Sequence, residues 1–171
     1  MSPVVNPPVD AIALDGISRV VGHIERAVTD GFDREARWNM AMAALEGGMA
    51  ISKGLGSVHA LANTFGDGGL HHGMLVTASM PTVLRFLAPH VSDKTVTLAR
   101  AMGLKEGADV AAAVERLNDR VGLPTTVRDL GYAKQDIDEM AEDAVESFFN
   151  GTCPKLPSRE EYAELIRAAL G

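Results

Sequence analysis

The sequence predicts an all-α fold, a bundle of seven or eight helices, and three observations carry that expectation. Apolar residues recur at spacings of three and four along most of the chain, helix start and stop residues bracket those runs, and no stretch alternates polar with apolar as a half-buried strand would. At 171 residues the chain fits a single helical domain, residues 1–171, long enough to bury a sizeable core. Hydrophobic residues at 46% and charged residues at 23% are ordinary for a globular protein, so neither disorder nor a disulfide scaffold is indicated.

Asn6-Pro7-Pro8 opens the first helix, because proline's fixed φ suits the first turn and its missing N–H would have no helical partner there. Ile12, Ile17, Val20, Val21 and Ile24 continue it to about Ala27. Asp33 is placed to cap a second helix whose inner face is expected to carry Ala41, Ala44, Leu45, Gly48 and Met49. Gly47-Gly48 inside it costs about 1 kcal/mol per glycine relative to alanine. That cost predicts a compensating close approach of another helix, with a ligand cleft as the alternative.

Val58 to Phe65 reads as a short third helix ended by Gly66-Asp67-Gly68-Gly69. Met74 to Leu87 is apolar nearly all round, the mark of a central buried helix, and Pro81 predicts a kink or break within it. Ser92 is placed to cap the next helix, which turns Leu98, Ala99 and Met102 inward and stops at Gly103. Val110, Val114, Leu117 and Val121 line another, closed by Gly122. Ile137, Met140, Ala141, Ala144, Val145 and Phe148 keep the inward spacing of a further helix, leaving Asp136, Asp138, Glu139, Glu142, Asp143 and Glu146 as a solvated face. Ser158 and Glu161 make a capping box ahead of Tyr162, Leu165, Ile166, Ala169 and Leu170.

Charge and composition narrow the function. The formal net charge is −7 with no Lys/Arg cluster, so the electrostatic footprint of a nucleic-acid binder is missing. No apolar run is long enough to span a bilayer, and the first residues lack the layout of a signal peptide, which points to a cytoplasmic location and no membrane partner. One cysteine, Cys153, allows no internal disulfide and reads as a small loop residue before Pro154.

The stretch GLGSVHALANTFGDGGLHHGM, residues 54–74, gathers three of the five histidines. Neutral imidazole is a common metal ligand, and a glycine-rich turn between His59 and the His71-His72 pair lets the chain double back so that His59 and one of the pair face a common point. Only one of two adjacent residues at a helix start turns inward. His23 and His90 lie in ordinary amphipathic patterns and read as structural. Gly66-Asp67-Gly68-Gly69 is no phosphate loop, since it lacks the lysine and follows a helix.

The same stretch, followed by PTVLRF, resembles the signature of the iron-dependent alcohol dehydrogenases, in which a G-x-x-H-A-x-x-H segment and a later H-H-G or P-H-G segment lie on helices of the C-terminal domain. NPPVDAIALDGI, ARWNMAMAALEGGMAISKGLG, VGLPTTVRDLG and GTCPKLPSREEYAELIRAAL look like the same helical half, so the resemblance covers essentially the whole chain. It implies that His59 and His72 are metal ligands, with His71 as second choice for the later position. Asn63 stands where the family has a second histidine near the substrate. Asparagine donates a hydrogen bond there but cannot shuttle a proton near neutral pH.

The resemblance also implies that an N-terminal nicotinamide-binding α/β domain lies outside these 171 residues, along with an aspartate and a histidine that complete the ligand set. No residue here is therefore assigned to catalysis or to NAD(P) binding, and Fe²⁺ or Zn²⁺ is expected to be held weakly by an incomplete site. The implied function is the helical metal-binding part of an oxidoreductase that interconverts small alcohols and aldehydes with NAD(P). The alternative is a catalytically inactive binding or assembly module derived from the same family. Either way a homo-oligomer, or a complex with a chain carrying the other half, is expected.

Overall fold

A computed structural model describes residues 1–66, 69–133 and 136–171, and among these it contains eight α-helices and no strand. Helix α1 (Pro7–Thr29) starts as expected, with the Asn6 side chain accepting from the Val9 N–H and two prolines in the first turn. A short turn leads into α2 (Arg34–Ala50), capped by Asp33, whose carboxylate accepts from the Ala36 N–H. Arg26 staples the turn by donating to Asp33 at 2.7 Å and to Glu35 at 2.9 Å. The two helices pack along their length as a hairpin. At its centre is Gly16, where a Cβ would lie 3.2 Å from Glu46 Oε2 and 3.6 Å from the Ala43 carbonyl.

That contact corrects the expected inner face of α2. The buried residues are Ala36, Ala43 and Glu46, while Ala41, Ala44, Leu45, Gly48 and Met49 are all exposed. Small residues surround this helix, so hydrophobic spacing alone could not choose a side. Gly16 chooses it, because the absence of a side chain there admits Ala43 and Glu46. The expected close approach at Gly47-Gly48 is likewise absent: a Cβ at either would meet nothing within 4 Å. Gly47 instead borders a cavity, nearer to the cleft alternative.

A single 3₁₀ turn, Ile51–Lys53, precedes α3 (Gly56–Asn63). Lys53, buried in that turn, pairs with Asp10 and so ties the approach to α3 back onto α1. Helix α4 (His72–Leu87) is the central one, burying Leu75, Ala78, Ser79, Pro81, Val83, Leu84 and Leu87. It runs through Pro81 without the break that was one of the two expected outcomes. A proline inside a helix costs about 3 kcal/mol, and burial of six neighbours in the same helix offsets the loss.

Helix α5 (Ser92–Ala101) follows a 3₁₀ turn, Ala88–His90, and Ser92 is its first helical residue, with no side-chain cap bond formed. Gly103, at φ +68°, ends the segment as expected. Helix α6 (Val110–Arg120) is capped by Asp109, and α7 (Ile137–Glu146) by Asp136. All six acids expected on the solvated face of the α7 segment are exposed. Phe148 is not on the inner face of α7. The helix ends at Glu146, a 3₁₀ turn spans Phe148–Thr152, and Phe148 is 83% exposed. The Asn150 side chain explains the exit, since its amide donates to the Ala144 and Val145 carbonyls at 2.7 and 3.0 Å and satisfies the end of α7.

Helix α8 (Arg159–Leu170) has both halves of the predicted capping box and buries Tyr162, Leu165, Ile166, Ala169 and Leu170. The main core joins α3, α4, α7 and α8 through Leu61, Phe65, Leu75, Val83, Met140, Tyr162 and Ile166. A smaller cluster of Leu84, Ala99, Met102, Val110, Ala111 and Ala113 joins α4, α5 and α6, with Ile17 and Val21 of α1 packed against it. No helix among the described residues is long and apolar enough to cross a membrane.

Candidate metal centre

The site lies where α3 and the start of α4 meet. Gly54 and Gly56 lead into α3 with φ of +83° and +64°, a backbone only glycine adopts freely. At Gly54 the requirement is also steric, because a Cβ there would collide with the Thr152 side chain. The linker can thus drop close against the Phe148–Thr152 turn. His59 then projects from the first turn of α3, half-buried, while Ala60, Leu61 and Ala62 on the other faces anchor the helix in the core.

His72 is the first residue of α4, and its ring lies 5.3 Å, centroid to centroid, from that of His59, with the planes tilted by 52°. The two imidazoles expected to face one point are brought together by two different helices. His71 is the residue before the helix, and its ring folds back over Gly73, where a Cβ would lie 3.2 Å from His71 Cε1. The adjacent pair does diverge, and His72 is the member beside His59.

His59 Nδ1 is buried and has no partner at hydrogen-bonding geometry. Burial lowers the pKa of this imidazole below its ordinary value, and the neighbouring His72 lowers it further; a weak hydrogen bond with the Leu55 backbone one turn back opposes both. The neutral ring, the form that binds metals, is therefore favoured. Phe149 is its other ring neighbour, 5.6 Å away and tilted by 53°. Among the described residues, no third His, Cys, Asp or Glu joins the pair.

His59 also borders a cavity of about 620 Å³ whose wall is mostly apolar, including Ile17 and Val20 of α1, Val76 and Met80 of α4, and Leu117 of α6. Asn118, 6% exposed, is on the same wall with its Nδ2 unpartnered. Asn63 follows one turn after His59 on α3 and is exposed.

The remaining candidates behave structurally. His23 Nδ1 lies 2.9 Å from the Arg19 carbonyl one turn back, and the exposed His90 ring packs 5.8 Å from Phe86. Burial pushes the Cys153 thiol up, away from the reactive thiolate, and it donates a long bond to Asn150. In the predicted turn Gly66-Asp67-Gly68-Gly69, Asp67 and Gly68 lie outside the described residues. Sequence reasoning missed Phe149, because a residue in a five-residue 3₁₀ turn belongs to no helical stripe; the paired Phe148-Phe149 before Asn-Gly was the only available signal.

The model of the Fe-containing alcohol dehydrogenase family, C-terminal, matches residues 1–170. The chain belongs to this family. Among its relatives, the 4-hydroxybutyrate dehydrogenase of Cupriavidus necator is 44% identical over 99% of this chain and 47% of its own length. The 1,3-propanediol dehydrogenase of Citrobacter freundii is 34% identical over 96% of this chain and 45% of its own. The crystal structure of a 1,3-propanediol oxidoreductase superposes with a TM-score of 0.93 at 31% identity, covering 99% of this chain and 47% of that one. The chain thus spans about half the length of these dehydrogenases and has the fold of their helical C-terminal part.

Proposed function

We propose that His59 and His72 are two protein ligands of a divalent metal, Fe²⁺ or Zn²⁺, and that the chain is the metal-binding helical part of an NAD(P)-linked alcohol dehydrogenase. The observation that carries this reading is the pairing of two imidazoles from different helices, with ring centroids 5.3 Å apart. The donor chemistry fits, since imidazole suits both iron and zinc. Two donors do not complete a shell. On this reading the remaining ligands and the NAD(P) site come from polypeptide outside these residues. That makes a complex with such a polypeptide, or an oligomer, the working form.

A bound metal would supply Lewis-acid polarisation of an alcohol or carbonyl oxygen. The chain's own residues hold the two rings together, keep His59 in its neutral form and exclude water from its buried side. Asn63, exposed on the same face of α3, offers a hydrogen bond to a substrate rather than a path for a proton. The relative from Cupriavidus necator makes 4-hydroxybutyrate the first alcohol to try.

The test is a Co²⁺ titration of the purified 171-residue protein, followed by visible absorption and repeated on His59→Ala and His72→Ala. Wild-type protein is expected to develop ligand-field bands that each variant weakens. Absence of any band at saturating Co²⁺, or bands unaffected by both substitutions, rejects the ligand assignment. Adding a cofactor-binding half and following NAD(P)H with 4-hydroxybutyrate then tests the activity.

A further inference from the structure

Hydrogen bonding holds the His59 ring only weakly. Ligating histidines almost always donate their second ring N–H to a carboxylate, a carbonyl or water, which fixes the ring. Here Nδ1 is buried, and beside it is only the Leu55 backbone, one turn back and short of good hydrogen-bonding geometry. The torsion that swings an imidazole about its Cβ–Cγ bond is broad, so a weak hydrogen bond leaves the plane to be set by packing. The neighbour available is the Phe149 ring, 5.6 Å away.

Phe149 is itself firmly held. Asn150 clamps the turn to α7 through its two amide bonds to Ala144 and Val145, and its Oδ1 accepts the Tyr162 hydroxyl from α8. Tyr162 is fully buried, so its hydroxyl needs that partner. On the other side Thr152 packs against Gly54, in the linker that leads to α3. Outside, Phe148 stacks on Phe149 at 4.1 Å. The turn is thereby fixed to the helix before it, the helix after it and the approach to the helix that carries His59.

We propose that Phe149 is a positioning residue for the His59–His72 pair, holding the His59 ring in the orientation that faces His72, and that the Asn150–Tyr162 hydrogen bond holds Phe149 in place. The purpose of this arrangement rests on the metal-ligand role proposed above; its geometry does not.

Two readouts separate these. In metal-free protein, the nuclear Overhauser effect between the ring protons of His59 and His72 reports the pairing directly. It is expected to vanish in Phe149→Ala, to return in Phe149→Leu and to weaken in Tyr162→Phe. Co²⁺ affinity should fall about 10-fold in Phe149→Ala, as for loss of other orienting groups around metal ligands, with recovery in Phe149→Leu. A folded Phe149→Ala that keeps both the ring-to-ring effect and wild-type Co²⁺ affinity overturns the proposal. If Phe149→Ala does not fold, Phe149→Val takes its place in both measurements, and an unchanged ring-to-ring effect in Tyr162→Phe overturns the role given to the Asn150–Tyr162 bond. If wild-type protein takes up no Co²⁺, the ligand assignment fails, and the metal-free measurement still judges Phe149.

Discussion

Gly16 of α1 stands against the Glu46 side chain of α2, and this one contact sets how the first two helices meet. A methyl at Gly16 would lie 3.2 Å from the Glu46 carboxylate and 3.3 Å from its Cβ. The carboxylate can shift, and alanine gains about 1 kcal/mol of helix propensity over glycine. Gly16→Ala is therefore expected to change stability little, whereas Gly16→Val should destabilise by about 2 kcal/mol through overpacking. Urea melts of the two variants check the contrast.

Removing the Tyr162 hydroxyl leaves Asn150 Oδ1 with only the weak Cys153 donor. Tyr162→Phe should lower stability by about 1 kcal/mol, the usual net worth of one hydrogen bond. Tyr162→Ala opens a cavity in the main core and should cost about 4 kcal/mol. A Tyr162→Phe melt that matches wild type would show that Asn150 re-pairs elsewhere.

The capping box of α8 is complete: Ser158 Oγ accepts from the Glu161 N–H at 3.2 Å and Glu161 accepts from the Ser158 N–H at 2.7 Å. Ser158→Ala should cost about 1 kcal/mol. Because α8 carries six buried residues, the loss should appear in the global transition and not as fraying of the terminus alone. Hydrogen exchange along α8 compared with α4 distinguishes the two.

The depressed pKa of His59 has a pH signature. Unfolded chain binds a proton at this imidazole more readily than folded chain does, so stability contributed at this position falls as pH drops below about 6.5 and is constant above it. Wild-type protein should lose more stability than His59→Gln between pH 7.5 and pH 5. Equal losses in the two would place the titration elsewhere.

The helices were legible wherever a stripe of large apolar residues met a cap, as in α8, where Ser158 and Glu161 fixed the start and Tyr162, Leu165, Ile166, Ala169 and Leu170 the face. Legibility failed on α2, whose alanines and glycines carry too little contrast between faces for spacing to choose, so that the choice fell to a residue on another helix, Gly16. It failed again at Phe148, which continues the spacing of α7 although the helix has already ended at Glu146. A side chain outside the helix, Asn150, takes the terminal carbonyls, and no periodicity contains that information. The candidate site divides the same way. His59 and His72 stood out by residue type and by a glycine-rich turn between them, while Phe149 owes its place to three segments packed around one short turn.

Trp38 is the sole indole of the chain, and it is on the outward side of α2, 63% exposed, with Leu45 and Met49 further along the same helix also exposed. Its ultraviolet emission therefore monitors the hydration of that helix face and not the melting of the interior. Unfolding should scarcely move the emission maximum, whereas any polypeptide that comes to cover α2 should shift it to shorter wavelength, giving a label-free signal for assembly already built into the protein.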